Sequence, residues 1–209
     1  MAELLRHDSG GGSGATATAT ASSEQRVAPR FTLLIRAAKL VTREGEYLCV
    51  IRDASESGIS MRIFHPIPEC RTMTVELQNG DRYGVELRWQ DEDRAGFRFR
   101  SEADIARIIE SPSRFSKRPV RLNLTAPAEV EADGHCEYTT IQNISQQGAS
   151  IACASRFAID QRVKLRAIGM REVFGKLRWR QEGTCGIVFD ETFQFGELAR
   201  IAQALQGRI

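Results

Sequence analysis

The chain states one motif twice. Asn143-Ile-Ser-Gln-Gln-Gly148 restates Asp53-Ala-Ser-Glu-Ser-Gly58 ninety residues on, with a carboxylate or amide, a serine and a glycine at the same spacing. At the same offset Leu87-Arg88-Trp89 returns as Leu177-Arg178-Trp179, and Gly96 returns as Gly186. Ala106-Arg107-Ile108 is matched by Ala199-Arg200-Ile201, and Arg26-x-x-x-Arg30 by Arg114-x-x-x-Arg118. Landmarks that return in order over the span of a domain mark a duplication. The 209 residues therefore divide into two units, each of about 90 residues, enough to bury a core.

The expected boundaries follow from the landmarks. Residues 1–23, rich in Gly, Ser, Ala and Thr, read as a flexible tail. Residues 24–110 form the first unit, 111–117 a short linker carrying the second arginine arm, and 118–209 the second unit.

Composition excludes several classes. A chain with 42% hydrophobic and 27% charged residues is that of an ordinary globular protein. A net charge of +2 is too small to imply a nucleic acid polymer as partner. No apolar run approaches the ~18 residues of a membrane span, so no membrane insertion is expected. With no apolar core of a secretory signal near Met1, a cytoplasmic location is expected. Five cysteines without a CxxC pair read as reduced thiols, with no metal site among them. Three histidines without acidic partners at a telling spacing, no clustered carboxylates and no phosphate loop argue against an enzyme and against a cofactor.

Within each unit the period is that of strands. Phe31 to Val41 and Tyr47 to Arg52 open the first unit. Ile59, Met61 and Ile63 then alternate with polar residues, as do Val75 and Leu77, and Asn79-Gly80 marks a hairpin. Val85, Leu87 and Trp89 share one side of the next strand, and Phe97 and Phe99 one side of the last. Ala103 to Glu110 turns helical, with Ser101 and Asp104 placed for a cap. The second unit repeats the plan: Val120 to Val130, Tyr138 to Gln142, Ile151 with Cys153, Val163 with Leu165, Val173 to Trp179, and Ile187 with Phe189. A helix over 194–206 closes it, with Leu198, Ile201, Ala202 and Leu205 as its stripe. Six short strands and a helix per unit predict a small antiparallel barrel or sandwich. Alternation places Trp89 and Trp179 in the core rather than on the surface as stacking platforms, with Arg88 and Arg178 solvated. Arg121 stands near the second arm, but the first unit has no residue like it there.

An arginine pair followed, after 22 or 24 residues, by Asp/Asn-x-Ser-x-x-Gly, present in both copies, resembles the signature of the PilZ family. The resemblance spans about residues 24–206. It implies a mainly all-β chain of two tandem six-stranded antiparallel β-barrels, each followed by an α-helix. It also implies a ligand, the bacterial second messenger cyclic di-GMP. In that family the arginines sit on a mobile arm and the Asp/Asn-Ser-Gly set on the barrel surface. Carried over, the first site is Arg26, Arg30, Asp53, Ser55 and Gly58, and the second Arg114, Arg118, Asn143, Ser145 and Gly148. Two departures stand out: Pro29 falls inside the first arginine pair, and Asn143 replaces a carboxylate.

The residue types suit that ligand. An arginine fork matches guanine O6 and N7, or a phosphate, and can stack on a base. Asp53 can accept from guanine N1–H and N2–H₂, and Asn143 through its amide oxygen. Ser55 and Ser145 read as short-range donors, and Gly58 and Gly148 as positions kept bare for the ligand. The expectation is a non-catalytic receptor that rearranges its arms and its two units on binding and signals to a downstream protein. The alternative is a non-binding scaffold of the same family, acting through protein–protein contacts.

Overall fold

The computed structural model of the chain describes residues 31–68, 70, 72–110, 119–153 and 157–207. The tail 1–23, the linker 111–117 and the arginines 26, 30, 114 and 118 lie outside the described residues.

Strands β1 (Phe31–Val41), β2 (Glu46–Ser55), β3 (Gly58–Arg62), β4 (Met73–Leu77), β5 (Arg82–Gln90) and β6 (Arg94–Phe99) precede helix α1 (Ile105–Glu110). Strands β7 (Leu122–Ala132), β8 (His135–Ser145), β9 (Gly148–Ala152), β10 (Arg162–Ala167), β11 (Val173–Gln181) and β12 (Thr184–Phe189) precede helix α2 (Phe195–Gln206). The first six close in the order β1-β2-β3-β6-β5-β4, and the second six repeat it as β7-β8-β9-β12-β11-β10. Every pairing is antiparallel, in the first barrel and in the second. Of the two architectures that alternation left open, the closed barrel is the one formed, and closure removes the exposed sheet edges.

Alternation fills each barrel. Ile51, Met61, Val75, Val85 and Ala95 are fully enclosed in the first, and Ile141, Ile144, Ile151, Leu165 and Leu177 in the second. Burying one such aliphatic side chain contributes roughly 1.5–3 kcal/mol. The Asn79-Gly80 hairpin forms as expected, with the Asn79 amide oxygen accepting from the Asp81 N–H at 3.0 Å. Helix α1 starts two residues later than its pattern suggested. Its cap is Asp104 alone, whose carboxylate accepts from the Arg107 N–H at 3.1 Å.

The cysteine expectation is corrected. Cys153 and Cys185 are joined by a disulfide with their Cα atoms 5.4 Å apart, while Cys49, Cys70 and Cys136 are free. The two halves of the bond are 32 residues apart in sequence and meet only because β9 and β12 are neighbours in the barrel. Spacing alone could not bring them together.

Helix α2 covers more than its own barrel. It packs between β7 and β2, so Ala37 and Leu48 of the first barrel share an apolar cluster with Leu198, Ile201 and Leu205. Polar contacts fix the junction. Gln206 Oε1 accepts from the Glu46 N–H at 2.8 Å and Gln206 Nε2 donates to the Glu46 carbonyl at 2.9 Å. The Glu46 carboxylate in turn accepts from the Asn123 N–H at 2.8 Å and Nδ2 at 2.9 Å, and from Lys39 Nζ at 2.9 Å. Lys39, nearly buried, also reaches Glu76 at 3.1 Å. The two barrels thus share one helix and one charged knot.

Candidate ligand site

Asp53 and Asn143 stand on strands, each just after a β-bulge. Ile51 pairs with Met61 and Asp53 with Ser60, leaving Arg52 unmatched. Ile141 pairs with Ile151 and Asn143 with Ser150, leaving Gln142 unmatched. One extra residue reverses the in–out alternation of a strand. Ile51 and Ile141 therefore point into the cores, while Asp53 and Asn143, two positions on, stand half-buried at the surface.

The same device moves the tryptophans. Leu87 pairs with Phe97 and Trp89 with Gly96, so Arg88 is the extra residue. Leu177 pairs with Ile187 and Trp179 with Gly186, so Arg178 is extra. Trp89 and Trp179 are 47% and 42% exposed. The expectation that they pack in the core is wrong, because strict alternation does not survive a bulge. Each indole lies over its partner glycine: a Cβ on Gly96 or Gly186 would run into the indole nitrogen. This close approach explains why glycine recurs at both places. Arg88 pairs with Glu86 at 3.4 Å and Arg178 with Asp160 at 2.6 Å, surface contacts of small worth.

The registers join these residues into one row across four strands. In the first barrel it runs Asp53, Ser60, Gly96, Trp89. In the second it runs Asn143, Ser150, Gly186, Trp179. Neighbouring strands lie about 4.8 Å apart, so the row extends ~14 Å. Asp53 Oδ2 accepts from the Ser60 hydroxyl at 2.5 Å. In the second barrel Asn143, Ser145, Gly148, Ser150 and Trp179 line one cleft with Arg121 and Gln147, of about 140 Å³. That is smaller than the roughly 300–1,000 Å³ of an enclosing pocket, so the cleft is a shallow surface feature rather than a cavity in the barrel.

The motif serines and glycines also serve the fold. The Ser145 hydroxyl donates to the Gly148 carbonyl at 3.2 Å, and Ser55 approaches the Gly58 carbonyl at 3.4 Å. Both serines are buried and each helps close its own hairpin, while Ser145 also borders the cleft. Gly58 and Gly148 have no positive φ. A Cβ there would strike the carbonyl oxygen of Phe97 or Ile187 on the neighbouring strand, so these glycines permit close strand contact. Five contributors to the rows and the cleft lie outside the motif: Ser60, Ser150, Trp89, Trp179 and Arg121. The serines show no signal beyond alternation. Trp89 and Trp179 were visible through their repeat, and Arg121 through its place near the second arm.

Chemically, the row offers an acceptor at one end, a hydroxyl, a stretch of bare backbone and an aromatic face. That set fits a planar heterocycle with adjacent N–H donors, held by edge and by face.

Two closed barrels in series, each carrying the same polar-to-indole row on its outer surface, define a tandem β-barrel protein. The chain belongs to the PilZ family: the family model described as PilZ domain matches residues 24–111 and again 112–207. No curated protein is matched. Among solved structures the chain is similar to the Borreliella burgdorferi PlzA protein in complex with c-di-GMP, at 10% identity and a TM-score of 0.35, covering 84% of this chain and 93% of that one. It is also similar to the Bacillus subtilis inhibitor of motility MotI/DgrA, at 12% identity and a TM-score of 0.34, covering 85% and 98%. A third is the K. pneumonia MrkH–c-di-GMP complex, at 12% identity and a TM-score of 0.32, covering 80% and 84%.

Proposed function

We propose that this chain is a non-catalytic, cytoplasmic receptor for cyclic di-GMP that passes the signal to a partner protein. The observation that carries the reading is the duplicated row, ending in Asp53 or Asn143 on one side and an indole on the other. Asp53 or Asn143 accepts from the guanine N1–H and N2–H₂ edge. The indole of Trp89 or Trp179 offers a face for a base, a contact worth about 1–3 kcal/mol. Arg26 and Arg30, or Arg114 and Arg118, supply forks for guanine O6 and N7 and for phosphate. Ser145 and Gly148 border the ligand beside Asn143, as Ser55 and Gly58 do beside Asp53, and all four shape the hairpin on which the acceptor stands. In this reading residues 1–23 are a tail, 24–110 and 118–209 the two units, and 111–117 the linker whose arginine arm closes on the ligand.

The second row also leads to the junction between the barrels. Asn123 pairs with Asn143 across β7 and β8, and its N–H and amide hold Glu46 of the first barrel. A ligand seated on Asn143 therefore bears on the contact that ties the barrels together, which supports a rearrangement between them on binding.

Calorimetric titration of cyclic di-GMP into the wild type, Arg30→Ala, Arg118→Ala and Trp179→Ala tests the reading. Binding in the wild type that is lost in one or both arginine variants supports it and assigns the site to a barrel. Absence of heat with the wild type refutes it and leaves the scaffold role.

A further inference from the structure

The duplication allows one barrel to be compared with the other. On the first barrel the outer face around Ala37 and Leu48 is covered by α2 and the second barrel, leaving these side chains 6% and 2% exposed. The strand pairing repeats in the second barrel. Leu48 stands opposite Lys39 as Tyr138 stands opposite Glu129, and Ala38 opposite Leu77 as Ala128 opposite Ala167. Pro127 and Tyr138 are thus the counterparts of Ala37 and Leu48. No described residue covers them: Tyr138 is 90% exposed, and Ile168 beside it 69%. With Pro127 and Ala167 they line an open, mostly apolar cleft of about 350 Å³, rimmed by Glu129 and Arg166.

We propose that this face docks an amphipathic α-helix of a partner protein, in the way the Leu48 face takes α2. The interface already present in the chain argues for the occupant. Its helix, α2, is 12 residues long, with Leu198, Ile201 and Leu205 as anchors and Ala199 and Ala202 bringing its axis near the strands. A polar end residue, Gln206, then caps the edge of the strand. A second copy of this chain cannot supply such a helix without coming apart. Its α2 is enclosed between β7 and β2, and its α1 is only 6 residues long, with Ile105 and Ile108 buried in its own barrel. The rim sets no strong charge preference, because Arg166 is already paired with Glu131 at 2.8 Å and Glu172 at 2.6 Å. The partner helix therefore has about three turns, a Leu/Ile stripe at i, i+3 and i+7 broken by small residues, and a polar side chain at its end.

This deepens the partner half of the proposed function and does not depend on nucleotide binding. The probe is a fluorescent synthetic peptide of residues 194–207, titrated into the full chain without dinucleotide and followed by anisotropy. Saturable binding that weakens tenfold or more in Tyr138→Lys and in Ile168→Glu, and is unchanged in Lys176→Ala, supports the proposal. Absence of binding overturns it, as does binding indifferent to Tyr138→Lys, which would place the peptide on the Leu48 face. A concentration-dependent dimer in sedimentation that Tyr138→Lys abolishes would make a second copy the occupant and overturn it too. Binding that emerges only after removal of residues 1–23 would make the chain's own N-terminal segment the occupant, and would overturn it likewise. Failure in any of these ways leaves the cyclic di-GMP titration untouched.

Discussion

The indole of Trp179 lies against the backbone of Gly186, in the space a Cβ would need. The pair closes the outer row of the second barrel, and Trp89 with Gly96 closes that of the first. Gly186→Val should lift the indole off the strand, changing tryptophan emission while leaving the barrel folded. Trp179→Ala should weaken cyclic di-GMP binding by about 1–3 kcal/mol, or roughly 5- to 150-fold, in calorimetry. Unchanged affinity in Trp179→Ala would remove the stacking role.

Gly148→Ala sets a methyl against the Ile187 carbonyl oxygen, a backbone atom of the neighbouring strand. Overpacking of this kind costs about 1–3 kcal/mol. The loss should appear in urea unfolding without any ligand present. A variant as stable as the wild type would leave this glycine only its place in the cleft beside Asn143.

The knot at Glu46 predicts a stability coupling between the barrels. Glu46→Ala removes both Asn123 hydrogen bonds and leaves Lys39, its side chain 9% exposed, with Glu76 as its remaining carboxylate. The expected loss is about 3 kcal/mol. Gln206→Ala removes two contacts to the Glu46 backbone and should cost about 1–2 kcal/mol. Hydrogen exchange should rise along β2 and β7 in both variants. A change confined to one barrel would contradict a shared junction.

The Cys153–Cys185 bond closes a separation of 32 residues. Loop-closure entropy for that length amounts to about 3–4 kcal/mol. The first barrel shows what can stand in its place: Ile63 and Ala95, at the matching positions, are both buried. The double variant Cys153→Ile, Cys185→Ala should fold, with a lower melting temperature that no longer responds to a reductant. A melting temperature of the wild type that ignores reductant would show the bond contributes nothing.

His65 is buried beside Tyr47, with ring centroids 5.0 Å apart. Burial holds its pKa below the ordinary value, with the Pro66 carbonyl opposing in part. The folded state thus resists taking a proton that the unfolded chain accepts near pH 6.5. Stability should be intact above that pH and fall as the pH drops through the unfolded value towards the folded one. His65→Gln should flatten this limb of the urea midpoint against pH. An equally steep limb in the variant would assign it to other groups.

The duplication, the strands and the family are legible along the chain, because they depend on residue type, period and spacing. Ile59, Met61 and Ile63 alternate as a strand whatever surrounds them, and Asn79-Gly80 turns wherever it stands. Which residues meet depends on the folded barrel. Bulges at Arg52 and Arg88, and at Gln142 and Arg178, reverse the alternation, so Asp53 leaves the core and Trp89 follows it to the surface. Strand order then sets Ser60 and Gly96 between them, and joins Cys153 to Cys185. A bulge depends on how two distant strands pair, and barrel order on which of them close the ring. Neither carries a local signal, and both came into view only once the chain was folded.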